Sequence, residues 1–143
     1  SLDDAKAYAG WLGLRLPTEV EWQFAAQGTD GRQWPWGNEY DSTLCNHASG
    51  ITTPVDAFPD GKSPFGVMDM TGNVWQLTID VYNNGTYYFV IMKGGSYYKP
   101  TASWWYVKGG PQPNQWHQQL LLVSPGFDRN ATVGFRCVKD VLE

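Results

Sequence analysis

The side chains able to do chemistry are few, and their spacing excludes more than it offers. His47 and His117 are the two histidines, too few for a three-histidine metal site within the chain. Cys45 and Cys137 lack the CxxC spacing of a zinc or redox pair. Their plainest reading is two inert small hydrophobes; a mutual disulfide, or a redox or metal role, are the alternatives. Glu19 and Glu21 are two apart on a predicted helix, so they face different ways and make no acid/base pair. No GxSxG elbow, HExxH pair or phosphate loop occurs. His117, inside Gln115-Trp116-His117-Gln118, reads as a polar loop residue. Asn84-Gly85-Thr86 and Asn130-Ala131-Thr132 fit glycosylation sequons, although a turn explains Asn84 better. What remains is the chemistry of rings: eight Trp, eight Tyr and six Phe, 15% of the chain. They either fill a core or line a binding surface.

The elements that must position these groups start with two helices. Ser1 or Asp3 can cap the first, and Leu2, Ala5, Tyr8, Trp11 and Leu12 recur at helical spacing up to Gly13. Thr18-Glu19-Val20-Glu21 spells a capping box for a second helix ending near Gly28, with Leu16 and Trp22 placed as a hydrophobic staple. Residues 29–75 are rich in Gly, Pro, Asn, Asp and Thr, which predicts ordered coil packed down by Trp34, Trp36, Phe58 and Phe65. A hairpin follows, with strands over 77–82 and 86–92 and a type I′ Asn-Gly turn between them. Further strands are expected over 104–107, 119–123 and 132–138. The result is an α+β fold: two helices, then a small, twisted, mainly antiparallel sheet with long loops.

Composition narrows the class. The 143 residues suit one domain spanning 1–143. Apolar residues at 42% and charged residues at 17% exclude a disordered polyampholyte. A net charge of −4 with scattered Lys and Arg excludes a nucleic-acid footprint. No stretch approaches the ~20 apolar residues of a membrane span.

Six ordered blocks then carry a resemblance. They are Arg15-Leu16-Pro17-Thr18-Glu19-Val20-Glu21-Trp22, Trp34-Pro35-Trp36-Gly37-Asn38, Thr53-Pro54-Val55-Asp56-Ala57-Phe58-Pro59, the run from Phe65-Gly66 through Asp69-Met70-Thr71-Gly72-Asn73-Val74-Trp75-Gln76, Lys93-Gly94-Gly95-Ser96-Tyr97, and Gly134-Phe135-Arg136-Cys137. Together they resemble the formylglycine-generating enzymes, the sulfatase-modifying factors. That resemblance implies a C-type-lectin-like fold. It also implies that about a third of the domain precedes the first helix, so that a missing N-terminal segment or a second chain completes the fold.

The family's oxidase holds copper between two cysteines after its GGS block, and counting from Ser96 places Lys99 and Trp104 at those positions. Neither ligates copper, so no copper is expected. Trp75 and Ser96 match residues that line the oxidase pocket. Tyr97, Lys99, Trp104, Trp105, Tyr106 and Trp116 fall in and around the region of the lost thiols, and such rings stack on the apolar faces of sugars. The expectation is a non-catalytic binding or accessory domain for a glycan or a peptide, associated with sulfatase or polysaccharide metabolism. A link to glycan metabolism would favour an extracellular or periplasmic setting. The alternative is an oxidoreductase of the wider family, formylglycine-generating or a non-haem-iron sulfoxide synthase, whose metal ligands lie outside this chain. The resemblance also implies Ca²⁺ held by Asp69, the carbonyls of Gly72 and Val74, and Gln76. A second Ca²⁺ site would use Asn46 and the carbonyl of His47, but the loop between Ser49 and Thr53 is shortened. Against the first site stands a plain turn in which Asp69 and Asn73 hydrogen-bond locally.

Overall fold

The structure, a computed structural model, describes residues 1–99, 109–124, 126 and 128–142. Trp104, Trp105 and Tyr106, with the strand expected over 104–107, lie outside the described residues.

Both helices start where their caps predict. Helix α1 (Leu2–Trp11) is capped by Ser1, whose Oγ accepts from the Asp4 amide while Asp4 closes the box in return. Helix α2 (Glu19–Gln27) is capped by Thr18, which exchanges hydrogen bonds with Glu21 at 3.1 and 3.0 Å, and it stops at Gly28 with φ +70°. The buried face of α1 is Leu2, Ala5 and Ala9; Tyr8, Trp11 and Leu12 are exposed, so the larger side chains of the expected stripe point outward. Leu16 and Trp22 are both buried, but in separate clusters.

The sheet is mixed. Strands β1 (Trp75–Asn83), β2 (Tyr88–Lys93), β3 (His117–Leu122) and β4 (Val133–Phe135) take the order β3-β2-β1-β4. The first two junctions are antiparallel, whereas β4 lies parallel to β1. The hairpin between β1 and β2 is not the expected type I′ turn: Gly85 alone takes a positive φ there, and the Asn84 side chain accepts from the Thr86 and Tyr87 amides to make a wider loop. The register slips between Leu77 and Val81, and this bulge brings Asp80 Oδ2 within 2.6 Å of the Glu19 amide at the start of α2.

The main core joins α1 (Leu2, Ala5, Ala9) to Leu16, Trp75, Leu77, Val90 and Met92. A second cluster holds Trp22 and Ala26 of α2 against Met70. In the long coil Trp34 stacks on Trp36 at 5.8 Å and tilts against Tyr40 at 4.8 Å, filling space that regular elements leave open. No helix among the described residues is long and apolar enough to cross a membrane.

Candidate functional site

Asn73 is the joint on which the site is built. It takes φ +63°, a conformation that asparagine tolerates better than most residues, at the end of the turn from Asp69 into β1. Its Nδ2 donates to Asp69 Oδ2 at 2.8 Å and to the Thr53 carbonyl at 3.0 Å. Its Oδ1 accepts from the Thr53 amide and from Asn46 Nδ2, and its own amide donates to the Asn46 carbonyl. The Tyr97 amide then donates to the Asn73 carbonyl, so one residue ties together the loops around 46–53, 69–73 and 94–97. Glycine is obligatory beside it. At Gly94 (φ +92°) a Cβ would sit 2.5 Å from the Met70 carbonyl oxygen, and Gly72 donates its amide to the Gly94 carbonyl at 2.9 Å.

Gln76 and Arg136 form the polar floor next to this joint. Gln76 Oε1 accepts from Trp22 Nε1 at 2.8 Å and from Arg136 Nε at 2.6 Å, while its Nε2 donates to the Asp69 carbonyl at 2.8 Å and, longer, to that of Met70 at 3.4 Å. Trp22 and Arg136 offer only donors, so the amide orientation is determined. Arg136 Nη2 donates to the carbonyls of Met68 and Asp69 at 2.9 and 3.2 Å. Burial pushes the Asp69 carboxyl above its ordinary range, with the Asn73 hydrogen bond and the Arg136 charge pulling the other way. Burial lowers Arg136, and the Asp69 charge opposes that. A cleft of about 400 Å³ opens over the floor, walled by Val55, Met68, Val74 and Phe135.

The calcium set implied by the resemblance does not fit this floor. Both lone-pair positions of Gln76 Oε1 are taken, by Trp22 Nε1 and by the cationic Arg136 Nε at 2.6 Å, which leaves this oxygen none to give a cation. Asp69 does bind locally through Asn73, as a plain turn requires. Around Asn46 and His47 a cavity of about 360 Å³ has no carboxylate in its lining. No cluster of three or more His, Cys, Asp or Glu able to hold a metal occurs among the described residues.

The expected ligand-binding residues fall in different settings. Trp75 is buried in the main core. Ser96 is buried too, and its Oγ accepts from the Tyr98 amide. Tyr97 is half-buried, whereas Lys99 and Trp116 are exposed. Trp104, Trp105 and Tyr106 are outside the described residues. Cys45 and Cys137 are free thiols rather than a disulfide; Cys45 is buried, and burial pushes its thiol up to about 11.

Sequence reasoning missed two groups. His117 is no loop residue: it begins β3, with Nδ1 2.7 Å from Glu19 Oε1. Lys93, fully buried at the end of β2, places Nζ 3.2 Å from Gln23 Oε1, 3.6 Å from Glu19 Oε1 and 5.4 Å from the Trp22 ring centre. The only available signal was a lysine ending an apolar strand.

Comparison with known proteins places these features. The family described as the sulfatase-modifying factor enzyme 1-like domain matches residues 1–141. The inactive C-alpha-formylglycine-generating enzyme 2 of Bos taurus is 31% identical over 96% of this chain, which spans 48% of that relative's length. Hercynine oxygenase of Mycobacterium tuberculosis is 43% identical over 52% of this chain and 19% of its own. The solved structure of CarF superposes with a TM-score of 0.65 at 25% identity, covering 90% of this chain and 47% of that one.

Proposed function

The chain belongs to the sulfatase-modifying factor enzyme 1-like domain family, and on that premise we propose that it is a non-catalytic binding or accessory domain with a glycan as its leading ligand. One observation carries the reading: Lys99 and Trp104 stand at the two positions where the oxidase of this family needs thiolates. Of the chain's own cysteines, Cys45 is buried and its thiol is pushed up to about 11, which makes it a poor thiolate donor. The likeness to a relative named as inactive supports the same conclusion. Tyr97 and Trp116, with Trp104, Trp105 and Tyr106 between them in sequence, are the rings of the type on which a sugar stacks.

The likeness to hercynine oxygenase favours a second reading, an oxidoreductase whose metal ligands come from outside this chain. Metal analysis separates the two. The protein, purified together with whatever chain precedes Ser1 in its gene, should carry neither stoichiometric copper nor iron. It should leave a cysteine-containing sulfatase peptide unconverted, while Trp116→Ala should weaken retention on immobilised glycans without lowering the melting temperature. Stoichiometric redox metal, or formation of formylglycine, overturns the binding-domain reading.

A further inference from the structure

Asn84 stands at the tip of the hairpin between β1 and β2, inside the sequon Asn84-Gly85-Thr86. The turn there uses only one end of its side chain. Oδ1 accepts from the Thr86 amide at 3.0 Å and from the Tyr87 amide at 2.8 Å, whereas Nδ2 takes part in no hydrogen bond among the described residues. Thr86 Oγ1 is equally unengaged among them, and residues 81–88 are all exposed. The turn and a modification therefore draw on different atoms of one carboxamide.

Three features set this sequon apart from Asn130-Ala131-Thr132. The bonds that shape it close within residues 83–87: the Gly85 amide donates to Asn83 Oδ1 at 2.8 Å, and the Asn84 amide to the Tyr87 carbonyl at 3.2 Å. Such a loop needs no distant partner, so it forms on a chain still unfolded and stays open to an enzyme after folding. In the second sequon the Thr132 hydroxyl, which an acceptor site has to offer, donates to Asn130 Oδ1 at 2.8 Å. The Thr132 carbonyl there also accepts from the Trp75 amide at 2.7 Å, which ties that segment to β1. Finally, Tyr82, Tyr87 and Tyr88 flank the tip, each about half exposed. A bulky, solubilising sugar chain suits a tip that carries such rings into water.

We propose that Asn84 is the acceptor of an N-linked glycan. Asn84 Nδ2 attacks the anomeric carbon of an oligosaccharide carried on a polyprenyl diphosphate. A C–N bond forms as the C–O bond to the diphosphate breaks. The lipid diphosphate leaves with the electron pair, a base of the transferase takes the Nδ2 proton, and nothing is oxidised or reduced. The two amides on Oδ1 draw electron density from the carboxamide, which makes that proton easier to remove. The product keeps its C=O, so the turn survives the modification. This site depends neither on what the domain binds nor on the absence of redox metal, so the two readings fail independently.

The test is peptide mapping by mass spectrometry on the full-length protein isolated from its source organism. The tryptic peptide 63–93 should carry a glycan on Asn84, and peptide-N-glycosidase in heavy-oxygen water should leave a labelled aspartate there. Asn84 should be occupied to a greater extent than Asn130. Thr86→Ala, produced in the same organism, should lose the Asn84 glycan. Both bonds to Asn84 Oδ1 come from backbone amides, so this variant keeps the turn, and the loss reads the missing hydroxyl rather than a misfolded tip. A bare Asn84 in the source protein, occupancy of Asn130 above that of Asn84, or a Thr86→Ala chain that keeps its glycan on Asn84 overturns the proposal.

Discussion

Gln76→Met removes the amide at the centre of the floor while nearly preserving side-chain volume. Two buried donors then lose their acceptor: Trp22 Nε1, which sat at 2.8 Å, and Arg136 Nε, at 2.6 Å. An orphaned neutral donor costs about 1–3 kcal/mol and a charged one more. The Asp69 carbonyl keeps Arg136 Nη2 at 3.2 Å, and the 3.4 Å bond to the Met70 carbonyl contributes little. The loss should therefore come to about 3–5 kcal/mol. With a urea slope of about 2 kcal/mol/M, the unfolding midpoint should fall by about 2 M at unchanged slope. Gln119→Met, on the exposed side of β3, serves as the control and should stay within about 0.5 kcal/mol. Gln76→Glu should cost less, because it keeps an acceptor for Trp22 and Arg136 and loses the donor to the Asp69 carbonyl and the long one to Met70. A midpoint shift for Gln76→Met below about 0.5 M would refute the idea that this residue holds α2, β1 and the Arg136 strand end together.

Thr18→Ala removes the α2 cap and should cost about 1 kcal/mol, read as a drop of about 2–4 °C in Tm. Gly94→Ala forces a methyl against the Met70 carbonyl at a φ of +92°, and a loss of about 2–4 kcal/mol is expected by urea unfolding. Asp69 has its carboxyl raised by burial, so its ionisation costs stability in full above the folded pKa, and that cost shrinks as pH falls and is gone below the unfolded pKa. Asp69→Asn should accordingly match or exceed the parent Tm at pH 7, and the difference should close as pH falls through the carboxylate range; a lower Tm at pH 7 contradicts the burial argument. Lys93→Met should leave stability near the parent value, since a well-packed apolar chain can replace a buried cation, whereas Lys93→Ala opens a cavity and should cost about 2–5 kcal/mol by the same urea assay.

Much of the local structure was legible in the chain. Ser1, Thr18 and Glu21 act on amides within a few residues of themselves, so the starts of both helices follow from spacing alone. The hairpin's existence followed from alternating strands around Asn84-Gly85, but its turn type did not, because the Asn84 side chain outcompeted the two-residue turn. The α1 stripe misled for a related reason. Of the periodic set Leu2, Ala5, Tyr8, Trp11 and Leu12, the packing buries Leu2 and Ala5 and adds Ala9, and it leaves the bulkier Tyr8, Trp11 and Leu12 outside.

Belonging to this family, and lacking cysteines at positions 99 and 104, could be read from residue order, since a missing thiolate is a matter of composition at a position. What binds what could not. Gln76 meets Trp22 across 54 residues and Arg136 across 60, and Lys93 reaches Gln23 across 70. No propensity or spacing encodes such distances, because they arise only when two helices and a mixed sheet close on one another. The tertiary fold alone decided that the Gln76 oxygen belongs to two neighbouring donors, and that Asp69 and Arg136 line one cleft.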